Sequence, residues 1–347
     1  MSTSWERFAL AARRGEPDQV PVALIVDSPW LPGYAGIDTR DYYLFLDQWL
    51  AINRGLAERF PDAVWIPGWW IEYGMAAEPS AFGAIPHFYA DRPPSIEPVV
   101  TDLEFWVSAI KPADPRQDGL MPFVVRQYEA LDERLQAEGL GVRMVCARGP
   151  MTVASYLMGV LPLMEGLVID PDGASHVLDV ISTSIIRWLQ AQLDAVHAPE
   201  GIMLLDDLVG MVSPRHYHTL IEPHLLRIFD AFEGLIRVYH NDTPCEHLLP
   251  ALSEAHFDVF NFSHETDIAT AKEVMGRRVA LMGNVAPLDL GVRGTPDEVY
   301  TAARACLDKA APGGGLILSF GGGVAPGTPP ENIDALLQAA RDWEHTS

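Results

Sequence analysis

The chain has 347 residues, 48% of them hydrophobic and 20% charged, so it can bury a large core and is not an intrinsically disordered chain. Its 47 acidic residues against 24 basic ones give a net charge of -23, which repels nucleic-acid phosphates and anionic membrane surfaces, and we expect neither as a partner. No apolar run reaches the roughly 20 residues of a membrane span, and no signal-peptide pattern opens the sequence, so we expect a cytoplasmic protein.

Eight short apolar runs alternate with stretches of helical periodicity. Most of the runs are continuously hydrophobic, which is typical of parallel strands that helices cover on both faces. They lie, in chain order, at 20–26, 63–66, 142–146, 202–205, 235–239, 257–261, 279–282 and 316–319. The helical stretches are 41–59, 127–138, 171–196, 214–232, 245–255, 266–275, 295–310 and 330–344. This alternation predicts an α/β protein, a (β/α)8 TIM barrel in one domain over 1–347, with an open doubly wound sheet as the competing architecture.

The segment 68–118 is rich in proline and polar residues and is too long for a simple connection. We expect it to form an excursion over the barrel mouth, the alternative being a merely structural insertion. At its start, Trp69, Trp70 and Tyr73 follow the second predicted strand, with Trp65 inside it. These rings either face a bound ligand or pack beneath the loop.

In a barrel of this kind the working groups come from the carboxyl ends of the strands. His240 and Asp242 follow the fifth predicted strand two residues apart, so in extended backbone both side chains point the same way and can share one metal ion. His264, at the end of the next strand, is a candidate third ligand, and imidazole with carboxylate suits zinc or another divalent ion. In the alternative without a metal, His240 donates a hydrogen bond to a backbone carbonyl and Asp242 caps the following helix. The other polar strand ends are Asp206-Asp207, Asn261 with Glu265, Asn284, and Gly321 to Gly323.

Four segments of the chain resemble the uroporphyrinogen decarboxylase family, which also contains corrinoid- and folate-linked methyltransferases. They are 149–157, Ser213-Pro214, 282–287 and 323–329. The resemblance runs from residue 20 to the C-terminus and implies the same barrel. The decarboxylase branch fits poorly, because its arginine-rich stretch corresponds to 27–34, which has no arginine. Its essential aspartate corresponds to Gly68 and its last histidine to Gly322, and only Tyr156 is kept.

The methyltransferase branch is closer in its loops, but its metal ligands differ here. That branch holds zinc with His-x-Cys after the fifth strand and Cys after the eighth, where this chain has His240-Asn241-Asp242 and Gly322. Losing both thiolates leaves a harder site of nitrogen and oxygen ligands, which suits polarisation of an ether or hydroxyl oxygen. We therefore expect methyl transfer from a non-thiol group, such as demethylation of a methoxylated compound, with a corrinoid or tetrahydrofolate as the methyl carrier.

The resemblance assigns roles to the strand-end residues. His240, Asp242 and His264 hold the metal, Asp207 or Glu265 acts as acid or base, and Tyr156 lines the pocket. The residues expected to contact substrate or cofactor are Trp69, Trp70, Tyr73, Asn261, Asn284 and Gly322. The implied partners are a small-molecule substrate, a corrinoid protein and a second copy of the chain. A decarboxylase for a porphyrinogen or a smaller carboxylate and a non-catalytic ligand-binding barrel remain the alternative functions.

Overall fold

The computed structural model describes residues 2–100 and 107–343. Strands and helices alternate along most of this length. The strands, numbered in chain order, are β1 (Val22–Ile25), β2 (Ala63–Ile66), β3 (Ile85–His87), β4 (Ser95–Glu97), β5 (Met144–Arg148), β6 (Gly201–Leu205), β7 (Ile236–Asn241), β8 (Val259–Phe262), β9 (Ala280–Val285) and β10 (Leu316–Phe320). Each of the eight predicted strands overlaps one of these, and only the hairpin strands β3 and β4 were not predicted.

Eight parallel strands form one sheet in the order β2-β1-β10-β9-β8-β7-β6-β5. The first strand in the chain pairs with the last, as Val22 does with Leu318, which an open doubly wound sheet does not allow. No backbone pairing links β2 to β5 in the described part of the chain, so the sheet is a nearly closed barrel with one open seam. The predicted (β/α)8 barrel is confirmed.

Alternate residues of the strands fill the barrel interior. Ala23 and Ile25 of β1, Cys146 of β5 and Val238 of β7 belong to one inner cluster, and all are buried. Side chains alternate across a strand, so the residues between them face the surrounding helices and pack into a larger outer cluster. Because both faces are covered by protein, the strands are continuously hydrophobic, as the sequence analysis assumed.

Each predicted helical stretch overlaps at least one helix of the structure, although the first and last residues differ. They are Ser4–Ala12, Leu31–Ala35, Thr39–Leu44, Leu46–Arg59, Ala77–Ser80, Met121–Gln136, Pro150–Met158, Val160–Ile169, Pro171–Asp194, Pro214–His216, Glu222–Asp230, Leu249–Leu252, Ile268–Met275, Pro296–Ala310 and Pro330–Asp342. Residue 344, the predicted end of the last helix, lies outside the described residues. The helices that were not predicted are Ser4–Ala12, Leu31–Ala35, Ala77–Ser80, Pro150–Met158 and Val160–Ile169, although Thr3 and Glu6 form a capping box at the first of them.

The excursion between β2 and β5 packs beside the barrel mouth. The N–H groups of Val99 and Val100 donate to the carbonyl of Leu157, at 2.9 and 3.0 Å, in the helix that starts at the carboxyl end of β5. Residues 101–106 of the predicted segment lie outside the described residues. In the part of the chain that is described, no single helix is long and apolar enough to cross a membrane, whereas Pro150–Met158 and Val160–Ile169 pass that test only together, with a bend of 110° between them.

Candidate metal centre in the barrel mouth

Three side chains converge at the carboxyl ends of β6 and β7. Nε2 of His240 lies 3.4 Å from Oδ1 of Asp207 and 4.0 Å from Oδ2 of Asp242. One ligand atom from each of the three residues lies within 4.8 Å of the others, a spacing that a single metal ion can bridge. His240 is 5% exposed, and β7 presents it to the barrel interior in the same row as Val238.

A buried asparagine fixes the tautomer of His240. Nδ2 of Asn261 donates to the carbonyls of Met282 and Phe320, at 2.8 and 3.0 Å, so Oδ1 is the atom that faces Nδ1 of His240 at 2.7 Å. Nδ1 therefore carries a proton and donates it to Oδ1. In the neutral ring the lone pair is then on Nε2, which points at the two carboxylates and is oriented as a metal ligand requires.

The electrostatics of the three residues suit a cation. Burial and the charge of Asp207 raise the pKa of Asp242, and His240 lowers it. The backbone N–H of Asp242 donates to Oδ1 of Asp207 at 3.2 Å, which holds the two acids close despite their repulsion. A positive charge between two carboxylates and an imidazole lone pair relieves their repulsion, and nitrogen and oxygen donors fit zinc or another divalent ion.

Gly322 borders this group, although it is far away in the sequence. A Cβ at Gly322 would lie 3.4 Å from Oδ2 of Asp242, and its φ of 143° is one that a side chain disfavours. The end of β10 therefore approaches the carboxylate with backbone alone. The position where related methyltransferases are expected to have a thiolate lies beside the candidate ligands and carries no donor side chain in this chain.

Asp206, the neighbour of Asp207, has a structural role. Its carboxylate accepts the N–H groups of Met151 and Thr152, at 3.3 and 2.7 Å, at the first turn of the helix Pro150–Met158. The carboxylate comes within 2.5 Å of where a Cβ on Gly149 would stand, so only glycine fits there. Burial raises the pKa of Asp206 to about 7, and its hydrogen bonds to the helix lower it.

Some predicted site residues lie apart from the three candidate ligands. His264 and Glu265 are exposed at the rim, and Gly321 packs against the backbone of His264. Val259 and Asn261 point into the barrel. Because side chains alternate along a strand, His264 points away from the barrel interior. Asn284 donates from Nδ2 to the carbonyls of Ser263 and Thr266, at 3.1 and 2.8 Å, and so holds the rim loop. The third candidate ligand beside His240 and Asp242 is therefore Asp207, whereas the sequence predicted His264 in that role.

Asn261 also has a place different from the predicted one. It is fully buried, and both polar atoms of its side chain are used by protein groups. The sequence predicted that Asn261 contacts a bound ligand, whereas in the structure its side chain hydrogen-bonds to Nδ1 of His240.

A second polar group lies in the mouth two strands away from His240. Arg148 and His240 stand at the same height of the sheet, each paired with Leu205 of the strand between them, so they are about 10 Å apart. Nη2 of Arg148 lies 3.4 Å from Oε2 of Glu72, and both side chains are almost fully buried. Tyr156 is half-buried between the two groups, since its hydroxyl senses the charges of both Arg148 and Asp207, and burial raises its pKa.

The guanidinium of Arg148 lies 5.1 Å above the ring of Trp70, which is 4% exposed. Trp69 and Trp70 border a cavity of about 380 Å³ that follows the open seam beside β2, and the three candidate ligands do not line it. Tyr73 stacks on Tyr43 at 5.5 Å, inside the aromatic packing of the excursion. The predicted aromatic cluster is thus divided between the seam and the excursion.

Sequence reasoning missed Asp27 and Glu72. Asp27 follows β1 directly, so its position at a strand end was the available signal, but residues 27–34 were read only for the arginines they lack. Glu72 lies in the excursion, where spacing along the chain gives no hint of its contact with Arg148.

Comparisons with known proteins support one family. The family model described as uroporphyrinogen decarboxylase (URO-D) matches residues 3–343. The uroporphyrinogen decarboxylase of Pseudoalteromonas translucida is 26% identical over 280 residues, covering 76% of this chain and 75% of that protein. The methylated-thiol–coenzyme M methyltransferase of Methanosarcina mazei is 24% identical over 254 residues, covering 73% of this chain and 66% of that protein.

The fold has a solved counterpart. The structure of a methyltransferase from Methanosarcina mazei matches with a TM-score of 0.83 and 23% sequence identity, over 99% of each chain. Because the family model covers nearly the whole sequence and the barrel agrees with it, this chain belongs to the uroporphyrinogen decarboxylase (URO-D) family, whose members include both decarboxylases and methyltransferases.

Proposed function

We propose that the protein is a metal-dependent methyltransferase that demethylates a methoxylated small molecule and passes the methyl group to a corrinoid or folate acceptor. The observation that carries this proposal is the group of Asp207, His240 and Asp242, with Nε2 of His240 directed at both carboxylates. Its methyl-transfer part is supported by the methyltransferase relative and by the loops 282–287 and 323–329.

The donor set favours an oxygen substrate. When bound, a zinc ion supplies Lewis acidity to a substrate oxygen, and a site without thiolates retains more of that acidity. Asn261 keeps the His240 ring oriented. Asp207 and Asp242 supply the negative charge that balances a bound cation. We assign Asp207 to metal binding rather than to acid or base work, because its Oδ1 lies 3.4 Å from Nε2 of His240. In this proposal, Tyr156 and Arg148 orient the rest of the substrate from the neighbouring strand end.

Metal content tests the site directly. Protein purified without chelator is expected to contain about one divalent ion per chain, and His240→Ala and Asp242→Ala are each expected to lose it. His264→Ala is the matched control, because it removes an imidazole from the next strand end, outside the candidate ligand group. Wild-type protein that does not bind added zinc, or a His240→Ala variant that retains it, contradicts the proposed site.

Methyl transfer is tested with defined reactants. Wild-type protein loaded with zinc is expected to transfer methyl groups from a panel of methoxylated aromatic acids to cob(I)alamin or tetrahydrofolate. His240→Ala is expected to be at least about 100-fold slower, because losing a metal ligand removes the polarising ion. If the zinc-loaded wild-type protein transfers no methyl group from any member of the panel, the proposed reaction is wrong, even if the zinc-binding test supports the metal site.

Decarboxylation is the second candidate, and one observation favours it. Arg148 places a buried guanidinium in the mouth, where it can hold a carboxylate, and decarboxylases are among the relatives. Release of carbon dioxide from a small carboxylate, unchanged by a zinc chelator and abolished in Arg148→Met, would favour this function over methyl transfer.

A further inference from the structure

Asp27 stands at the mouth with its carboxyl group unused. It follows β1 in the row of Ala23 and Ile25, which point into the barrel, so its side chain also points inward. No other residue in the described ranges 2–100 and 107–343 donates a hydrogen bond to the carboxyl group, and the residue is half-buried. Its carbonyl accepts the N–H groups of Trp30 and Leu31, at 3.2 and 3.1 Å, which fixes the turn that presents it.

The surroundings keep a proton on this carboxyl group. Glu72, the acid beside Asp27, accepts the N–H of Ser28 at 3.0 Å and contacts Arg148 at 3.4 Å. Burial and the charge of Glu72 raise the pKa of Asp27 to about 8, and Arg148 lowers it. Tyr42, Tyr43 and Cys146 also sense this charge, but burial raises the pKa of each, so all three are neutral at neutral pH.

Glu78 completes the charged groups around Arg148. Its Oε1 accepts the backbone N–H of Arg148 at 2.9 Å, while Oε2 is buried without a hydrogen-bond partner in the described chain. The guanidinium itself contacts Glu72 through Nη2 and the sulfur of Met75 through Nε, at 3.4 and 3.2 Å, and makes no hydrogen bond to Asp27. The one acid of this group that retains access to the mouth is the protonated one.

The glycine segment at the end of β10 runs from the end of β1 to the candidate metal ligand Asp242. A Cβ on Gly322 would lie 3.4 Å from Oδ2 of Asp242, and one on Gly323 would lie 3.7 Å from the carbonyl of Ile25, in the strand that ends before Asp27. No side chain of this segment therefore fills the space between the end of β1 and Asp242. Side chains fill the barrel interior, so a substrate binds in the mouth at the carboxyl ends of the strands, where Asp27 and the candidate metal ligands both point inward.

We propose that Asp27 is the proton donor of the barrel mouth and protonates the substrate oxygen that loses the methyl group, an inference that rests on the proposed demethylation. An electron pair of the acceptor, a reduced corrinoid or a folate nitrogen, forms the new bond to the methyl carbon. The carbon–oxygen bond breaks, its electron pair stays on oxygen, and the Asp27 proton converts that oxygen to a hydroxyl. The Asp27 carboxylate then regains a proton from solvent, and where the acceptor is a folate nitrogen, that nitrogen releases its N–H proton to solvent after it is methylated.

Infrared spectroscopy tests the protonation without any substrate. The wild-type minus Asp27→Asn difference spectrum of the full-length, zinc-loaded protein is expected to contain a protonated-carboxyl band at pH 7 that disappears with a midpoint near pH 8. In Glu72→Gln the midpoint is expected at lower pH, because a negative charge that favours the proton is gone. Asp172→Asn, an exposed acid at the start of a helix, is the control for the substitution itself. Absence of the band in wild type overturns the proposal, whatever the reaction is.

Turnover tests the proton transfer. With cob(I)alamin and a methoxylated aromatic acid as probes, Asp27→Asn is expected to slow single-turnover demethylation about 100-fold. The rate of wild type is expected to fall above pH 8, and the variant is expected to lose that fall. A variant with the wild-type rate and pH profile overturns the role of Asp27. If wild type itself transfers no methyl group while the infrared band is present, the proposed reaction fails and the protonated acid stands.

Discussion

At the scale of single residues, we predict that the contact between His240 and Asn261 sets the zinc affinity of the proposed site. Asn261→Ala removes the acceptor of the Nδ1 proton and frees the ring, so zinc affinity should fall about 10- to 100-fold. Two buried carbonyls also lose their donor, so the free energy of unfolding should fall by about 1–3 kcal/mol. Competition with a chromogenic chelator measures the first effect, and urea unfolding measures the second.

Asn284→Ala is the matched control for that prediction. Asn284 is also a buried amide that donates to two carbonyls, and it does not touch His240. The two variants should therefore lose similar stability, while only Asn261→Ala loses zinc affinity. Equal losses of affinity in both variants would mean that Asn261 acts through general stability and not through the histidine.

At the scale of elements, a carboxylate from one strand caps the helix that follows its neighbour. The helix Pro150–Met158 begins after Gly149, which has no side chain to cap it, and Asp206 from the end of β6 accepts the free N–H groups instead. Asp206→Ala leaves two buried donors unpaired and should lower the free energy of unfolding by about 2–4 kcal/mol. Asp206→Asn keeps one acceptor oxygen and should recover part of that loss in urea unfolding. A neutral effect of Asp206→Ala would show that the helix start does not depend on this cap.

The elements also show which predictions a sequence supports. The barrel strands were predictable because burial on both faces makes each one a continuous apolar run. The hairpin strand Ile85–His87 was not, since it is short, partly exposed and contains Pro86. The pair His240 and Asp242 followed from spacing within one strand. The approach of Asp207 to this pair depends on the register between strands, which spacing along the chain does not encode. Whether the His264 side chain points inward or outward depends on where its strand starts.

At the scale of the whole molecule, the protonated Asp27 links stability to pH. Its pKa is about 8 in the folded protein, against an ordinary value of 3.8. Between those values the folded state binds more protons than the unfolded state, so this group's contribution is complete below about pH 4 and is lost as pH rises towards 8. The free energy of unfolding should therefore fall between about pH 4 and about pH 8, with a slope from this residue of at most about 1.4 kcal/mol per pH unit, the limit for one proton.

Asp27→Asn removes this titration and keeps the shape of the side chain. Urea unfolding of the two proteins at several pH values should therefore give a smaller decline for the variant, and the two curves should separate most above pH 8, where wild type must bury a second charge beside Glu72. Asp172→Asn should follow the wild-type curve, because that acid is exposed. Parallel curves for wild type and Asp27→Asn would place the pKa of Asp27 in its ordinary range. The mouth would then consist of a metal group and an arginine pair, with no acid of its own to protonate a leaving oxygen.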